Sequence, residues 1–249
     1  MQPIRDLRVA VGFLTRLPVG DVSDGGTKPV RLASAVPWFP IVGAAIGLAQ
    51  AGVWRGMAEL VSPFVAAALA TAAALLITGA FHHDGLADIA DAFGGGWTEE
   101  QRFEILKDSR LGTYGTAALA MALIIEIATV ASFDPAAGFG AIVAGHALGR
   151  AGALAAMVLA PVGGDGLGAS YTADLSRSWV TVGVVAGIAI AAVASPVLVV
   201  WPLLACAASS VVVVALSVRK IGGVTGDVLG AIAVCGMLAA LVGTAIALS

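Results

Sequence analysis

One uncharged stretch decides the fold class: VLGAIAVCGMLAALVGTAIAL, residues 228–248. A helix of about 20 apolar residues is long enough to cross a bilayer. Comparable apolar runs lie at 36–57, 61–81, 114–133, 137–160, 179–195 and 197–218. The sequence therefore predicts an all-α fold, a polytopic integral membrane helical bundle with about seven transmembrane helices. We expect residues 1–249 to form a single membrane-embedded domain.

The composition supports a membrane protein. The 249 residues are 59% hydrophobic and only 12% charged, whereas a soluble domain is roughly half apolar and a quarter charged. The 32 glycines suit helices that pack closely within a bilayer. The net charge is -3, and the basic residues are neither clustered nor interleaved with aromatics. The expected partner is thus the lipid bilayer, and no nucleic acid.

Proline marks two of the joins between spans. Asp134-Pro135 separates the third span from the fourth, and Ser195-Pro196 separates the fifth from the sixth. Proline disfavours a continuous helix at such a place. The fifth and sixth runs could still form one broken element.

An amphipathic segment precedes the first span. Ile4, Leu7, Val11 and Leu14 recur at helical spacing, with two arginines beside them. This pattern predicts an N-terminal interfacial helix, although a soluble cap would show the same spacing.

The basic residues indicate the orientation of the chain. Cytoplasmic connections carry an excess of Lys and Arg. With the N-terminus inside, eleven of the thirteen basic residues fall on the cytoplasmic side, Arg55 falls on the other side, and Arg150 lies within the fourth span. The eleven are Arg5, Arg8, Arg16, Lys28, Arg31, Arg102, Lys107, Arg110, Arg177, Arg219 and Lys220. The expectation is a multi-pass protein of the cell (inner) membrane, with the N-terminus and the active-site loops cytoplasmic.

The densest polar segment runs from His82 to Gly115, directly after the second span. Asp84, Asp88 and Asp91 recur at i, i+4 and i+7, so a helix places all three carboxylates on one face. Like charges at this spacing repel, and oxygen ligands suit Mg²⁺ or Mn²⁺ that bridges phosphates. The alternatives are a metal site and a solvated acidic turn at a membrane edge.

Other polar residues in the same segment suggest phosphate chemistry. Lys107 and Arg110 flank Asp108 and are candidate donors to phosphate oxygens. His82 and His83 could be ligands, a base, or interfacial polar residues.

A second polar joint, RKIGGVTGDVLGA at 219–231, repeats this theme with two basic residues and Asp227. It is either a second phosphate or metal clamp, or Asp227 caps the last helix.

Two ionisable residues lie deep within predicted spans. Glu126 is in the third span and Arg150 is in the fourth, with His146 one turn before it. Charges inside a membrane need partners. The sequence predicts a Glu126–Arg150 pair, with the alternative that Arg150 meets an anionic group of a substrate.

Two motifs resemble those of a known family. GAFHHDGLADIADAFGGG at 79–96 and LKDSRLGTYG at 106–115 resemble the signature of the cobalamin synthase (adenosylcobinamide-GDP ribazoletransferase) family. FLTRLPVG at 13–20 and GGVTGDVLGA at 222–231 resemble further blocks, and together these stretches cover about a quarter of the chain. His83 falls on a variable position of the family pattern, and Leu106 stands where the family often has Met.

The resemblance implies an enzyme that joins adenosylcobinamide-GDP to alpha-ribazole or its 5′-phosphate and releases GMP. The ribazole 3′-hydroxyl would attack the cobinamide-linked phosphorus, with Mg²⁺ as cofactor. Metal ligands and catalytic carboxylates would come from Asp84, Asp88 and Asp91, with Asp108 as a further catalytic residue. Substrate-binding residues would be His82, Lys107, Arg110, Arg150 and Asp227. The oligomeric state is open, a homo-oligomer included.

Two other functions compete with this hypothesis. CDP-alcohol phosphotransferases also use an Asp-Gly-x-x-Ala segment, but here Ala87 comes two residues after Gly85 and Asp88 follows it. A transporter could use Glu126 and Arg150 as a relay, but it would leave the acidic helix unexplained.

Overall fold

The computed structural model describes residues 2–20, 32–163, 175–196 and 199–249. Ten α-helices lie in these ranges, together with two short 3₁₀ helices, Leu32–Ser34 and Val36–Trp38. The α-helices are α1 (Pro3–Leu14), α2 (Phe39–Met57), α3 (Pro63–Thr78), α4 (Phe81–Gly95), α5 (Glu99–Lys107), α6 (Thr113–Ser132), α7 (Pro135–Leu159), α8 (Arg177–Ala194), α9 (Val200–Ile221) and α10 (Gly226–Leu248).

The predicted all-α membrane bundle is confirmed. Within the described ranges, six helices are long and apolar enough to cross a membrane, namely α2 with its leading 3₁₀ turn, α6, α7, α8, α9 and α10. The pair α3 and α4 would make a seventh crossing. Its apolar part is α3, which carries no charged residue. The fifth and sixth predicted spans are separate helices, α8 and α9, rather than one broken element.

The second predicted span differs from the others in shape. Helix α3 ends at Thr78, and α4 begins at Phe81 after a bend of 92°. Gly79 and Ala80 make this bend with φ of 62° and 57°, the left-handed conformation. Glycine adopts it freely, whereas an alanine there costs about 1 kcal/mol. The acidic helix α4 is thereby turned away from the apolar helix before it.

Helix α7 lies at the centre of the bundle and packs against α2, α8 and α10. Of the most apolar stretch of α7, 67% of the residues are buried within the protein, compared with 17% for the corresponding stretch of α9. Asp134 caps α7 by accepting the backbone N–H groups of Ala136 and Ala137, and Pro135 follows it at the first turn. The predicted break at Asp134-Pro135 is therefore the start of the central helix.

Small residues let α7 approach its neighbours closely. Gly43 and Gly47 on α2 face α7, and a Cβ at Gly43 would lie only 2.7 Å from the carbonyl oxygen of His146. Gly149 on α7 likewise meets the backbone of Ala233 on α10. Such spacing of glycines is typical of close helix pairs in membranes. It brings the polar side chains of these helices within hydrogen-bonding distance of one another.

The N-terminal segment forms a helix, as predicted. Helix α1 buries Val9, Ala10 and Leu14 against residues that include Val36 and Phe39, while Ile4 remains 78% exposed. Its placement at a membrane interface stays a prediction. Lys28 and Arg31, which contribute to the predicted orientation, lie outside the described residues.

Candidate active site

A large cavity of about 970 Å³ opens where α4 meets the first turn of α10. Five of the predicted site residues line it with polar groups: His82, Asp84, Lys107, Arg150 and Asp227. Much of the remaining lining consists of apolar side chains, which together form an apolar wall. The wall includes Phe13, Leu14, Leu32, Val36, Phe39, Phe81, Phe103, Leu106, Leu154, Met157 and Leu229. The cavity therefore combines a charged part with a broad apolar part.

Helix α4 carries the predicted acidic face. Asp84 is exposed, Asp88 is half-buried and Asp91 is buried. Burial and the nearby carboxylates of Asp84, Asp227 and Asp91 raise the pKa of Asp88 to about 6. Repulsion between carboxylates favours the protonated form, so this group of acids is arranged to attract a cation.

Asp227 joins this cluster because α4 and α10 touch at a glycine. A Cβ at Gly85 would lie 2.8 Å from the carbonyl oxygen of Asp227 and 3.0 Å from its Cα. Thr225 supplies the helix cap of α10 by accepting the backbone N–H of Val228. Asp227 is therefore not the capping residue, and its side chain lines the cavity.

Asp91 has a different set of partners. Its two carboxylate oxygens accept the backbone N–H groups of Gly112 at 2.7 Å and of Gly115 at 2.8 Å. Gly112 is the N-cap residue of α6, and Gly115 lies in the first turn of that helix. Asp91 thus ties α4 to the start of α6, and its predicted role as a metal ligand stays a prediction.

The residues of the second motif, LKDSRLGTYG at 106–115, lie in two different places. Lys107 lines the large cavity. Asp108 and Arg110 instead pair with each other at 2.6 Å, and the Arg110 side chain is 86% exposed. Hydrogen bonds from Arg110 lower the pKa of Asp108 to about 2. Neither member of this pair lines the large cavity, and their predicted catalytic and substrate-binding roles stay predictions.

The second polar joint, residues 219–231, mainly holds neighbouring helices together. Lys220 donates to the carbonyl oxygen of Phe93 near the end of α4, and Arg102 donates to the carbonyl oxygen of Lys220. These bonds hold α4 and α5 against the end of α9. Of the predicted clamp, Asp227 alone among the charged residues lines the cavity.

The predicted direct pair between Glu126 and Arg150 is wrong. Their charged groups do not form an ion pair, and two neutral side chains lie between them. Gln50 donates to Glu126 at 2.6 Å, His146 contacts Gln50 at 2.5 Å, and Arg150 contacts His146 at 2.9 Å. Sequence reasoning missed Gln50, since a single polar residue in an apolar run gives no sign of its partners.

Sequence reasoning also missed an aromatic cluster in the cavity wall. Phe13 stacks on Phe39 with ring centroids 5.5 Å apart and meets Phe81 edge to face at 5.3 Å. Phe81 in turn contacts the ring of His82. The rings come from α1, α2 and α4, so only the folded chain brings them together.

Within residues 2–20, 32–163, 175–196 and 199–249, no group of three or more His, Cys, Asp or Glu side chains is arranged to hold a metal ion. Mg²⁺ differs from zinc here, because it is commonly held by one or two carboxylates together with water and substrate phosphates. The oxygen ligands of Asp84 and Asp227 fit that mode of binding.

Comparisons with known proteins agree with the family resemblance of the two motifs. A family model described as cobalamin-5-phosphate synthase matches residues 6–245. The chain is 39% identical over 234 residues to an adenosylcobinamide-GDP ribazoletransferase of Bradyrhizobium diazoefficiens, covering 92% of this chain and 88% of that protein. Proteins of the same name from Azorhizobium caulinodans and Ralstonia pickettii are 38% and 37% identical, over 92% and 90% of this chain and 90% and 88% of theirs. No solved structure matches the chain significantly.

Proposed function

The chain belongs to the cobalamin-5-phosphate synthase family, and we propose that it acts as an adenosylcobinamide-GDP ribazoletransferase, the activity that its relatives carry in their names. In this reaction a hydroxyl oxygen of alpha-ribazole, or of its 5′-phosphate, bonds to the phosphorus that carries cobinamide. The bond from that phosphorus to the oxygen of GMP breaks, and GMP leaves. The hydroxyl proton passes to a carboxylate of the acidic cluster.

The mixed lining of the large cavity, charged in one part and apolar in the rest, is the observation that carries the proposal. A volume of about 970 Å³ is at the upper end of the range for small-molecule sites, roughly 300–1,000 Å³. The apolar wall suits a bulky ring system, and the charged part suits a diphosphate. Both features are required of a site that takes a nucleotide-activated ring compound.

The cationic side chains would hold the phosphate oxygens. Lys107 approaches from the end of α5, and Arg150 from α7 in the middle of the bundle. His82, beside the aromatic cluster, would hydrogen-bond to the substrate. These groups would fix the phosphorus in line with the attacking hydroxyl and stabilise the charge of the transition state.

We assign Mg²⁺ to Asp84 and Asp227, with Asp88 adding negative charge beside them. When bound, the ion would neutralise the diphosphate and the developing charge on the leaving group. Asp84 and Asp227 lie on different helices, so the contact at Gly85 sets the distance between them. Burial, together with the nearby carboxylates of Asp84, Asp227 and Asp91, raises the pKa of Asp88, and a cation held beside these acids would offset the repulsion between them.

The chain is a multi-pass membrane protein by its apolar helices, and we propose that it resides in the inner membrane. The N-terminus and the mouth of the large cavity would face the cytoplasm, as the distribution of Lys and Arg indicates. A nucleotide-activated substrate would then enter from the compartment that contains nucleotides.

Release of GMP tests the activity. Purified protein in detergent, with adenosylcobinamide-GDP, ribazole phosphate and Mg²⁺, should release GMP with no membrane gradient, and EDTA should abolish the release. Asp84→Asn should remove the activity while leaving the protein folded, whereas Asp134→Asn, at a distant helix cap, should retain it. A transporter would release no GMP, and a CDP-alcohol phosphotransferase would release CMP from its own donor instead.

A further inference from the structure

A chain of hydrogen bonds crosses the interior of the bundle beneath the large cavity. It links Arg150 to His146 on α7, then Gln50 on α2, then Glu126 on α6. All four side chains are buried, with 5% of the residue surface or less exposed. Buried polar groups of this kind need complete hydrogen bonding, because an unsatisfied one is costly away from water.

The chemistry of arginine sets the direction of every bond in this chain. A guanidinium only donates, so His146 must accept through Nδ1 and carry its proton on Nε2. That proton is donated to the amide oxygen of Gln50, and the amide nitrogen of Gln50 donates to Oε1 of Glu126 at 2.6 Å. Thr71 adds a further bond to the same oxygen at 3.1 Å. The chain thus connects a cation to an anion through two neutral groups.

A small cavity lies beside this chain. Its volume of about 20 Å³ exceeds the roughly 10–15 Å³ that one water molecule needs. Three buried polar atoms belong to residues that line it, and each lacks a partner among the described residues: Oε2 of Glu126, Nε of Arg150 and Nε2 of His83. By their hydrogen-bonding capacity, a single water would accept from Arg150 and donate to Glu126 and to His83. The donors and acceptors match.

We infer that Glu126 is a positioning residue for Arg150, acting through His146, Gln50 and one buried water in the small cavity. Arg150 lines both cavities. A direct ion pair with Glu126 would draw the guanidinium into the bundle, whereas the relay balances its charge from a distance. The guanidinium therefore remains available for an anionic group in the large cavity. The inference rests on the proposed function in one respect, that this anion is a phosphate of the substrate.

Steady-state kinetics of Glu126→Gln provide the first test. Replacing the Glu126 carboxylate by an amide should raise the KM for adenosylcobinamide-GDP about tenfold or more and change kcat much less. The reason is that a hydrogen bond to a charged group is lost. Glu126→Asp, which keeps the charge, should restore part of the loss. Thr244→Val is the matched control, since that hydroxyl is equally buried but bonds to the carbonyl of Ala240 in its own helix. Its KM should equal that of the wild type.

A double-mutant cycle separates positioning from general damage. If Glu126 acts through Arg150, the variant Glu126→Gln with Arg150→Met should have the same KM as Arg150→Met alone. Losses that multiply, or an unchanged KM in Glu126→Gln, would overturn the inference. Should Glu126→Gln fail to fold, Glu126→Asp carries the same cycle.

The buried water can be tested without any activity. A high-resolution structure of the wild-type protein should show density for one water within hydrogen-bonding distance of Glu126, Arg150 and His83. An empty small cavity would contradict the inference. A wild-type protein that contains this water but releases no GMP would refute the proposed function instead, so the two failures are distinguishable.

Discussion

Replacement of Gly85 by alanine should damage the site more than it damages the fold. The added Cβ would lie 2.8 Å from the carbonyl oxygen of Asp227, so α4 and α10 must separate by about half an ångström to reach ordinary contact. Overpacking of this kind costs about 1–3 kcal/mol, and the better helix propensity of alanine returns about 1 kcal/mol. The net loss of stability should therefore be only about 0–2 kcal/mol.

The loss of activity should be larger, because Asp84 and Asp227 sit on the two helices that separate. A displacement of about 1 Å can reduce a rate about a hundredfold, and we expect kcat/KM for GMP release to fall about 10- to 100-fold. Gly52→Ala is the matched control, since a Cβ there meets nothing within 4 Å. Both variants should be assayed in detergent together with their thermal unfolding midpoints. If Gly85→Ala were as active as Gly52→Ala, the α4–α10 contact would not set the geometry of the site.

Asp91→Ala should destabilise the protein by roughly 1–3 kcal/mol, because two backbone N–H groups at the start of α6 lose their acceptors; a thermal unfolding midpoint equal to that of the wild type would contradict this. Lys107→Ala should raise the KM for the nucleotide substrate about tenfold or more. Arg110→Ala removes an exposed cation that is already paired with a carboxylate, so it should change the KM less than about threefold. Equal effects of the two variants would mean that both cations contact the substrate. Mg²⁺ affinity, measured by calorimetry between pH 5 and 8, should weaken as the pH falls through about 6. Asp88 gains a proton there, so the negative charge around the ion decreases. An affinity that stays the same across this pH range would exclude Asp88 from the ion's surroundings.

The sequence predicted the spans well because an apolar run of sufficient length has few alternatives to a membrane helix. The runs at 114–133, 137–160 and 228–248 differ from α6, α7 and α10 by only two residues or fewer at each end. The helical spacing of the aspartates likewise agreed with α4, since local periodicity is visible in one segment. These features depend on neighbouring residues alone.

Features that depend on contacts between distant segments could not be predicted in the same way. The bend before α4 requires two successive left-handed residues, and Ala80 gives no sequence signal for one. The approach of Asp227 to Asp84 depends on Gly85 meeting α10. The expected Glu126–Arg150 pair had the correct depth, but depth alone did not reveal that Gln50 stands between the two charges.

The aromatic wall shows the same limit. Phe13, Phe39 and Phe81 are separated by a long stretch of sequence, and each lies in a different helix. In the sequence each is an ordinary apolar residue. Their common position in the wall of the cavity, beside His82, supports the proposal of a substrate with both ring and phosphate groups.

We propose that Asp84 and Asp227, which the packing of α4 against α10 brings together, hold a divalent cation in the large cavity. Mn²⁺ binding followed by electron paramagnetic resonance tests it most directly, with wild-type protein compared with Asp84→Asn, Asp227→Asn and the control Asp134→Asn in the presence of GDP. We expect both site variants to lose the bound Mn²⁺ and the control to keep it. Unchanged Mn²⁺ binding in Asp84→Asn and Asp227→Asn would contradict it.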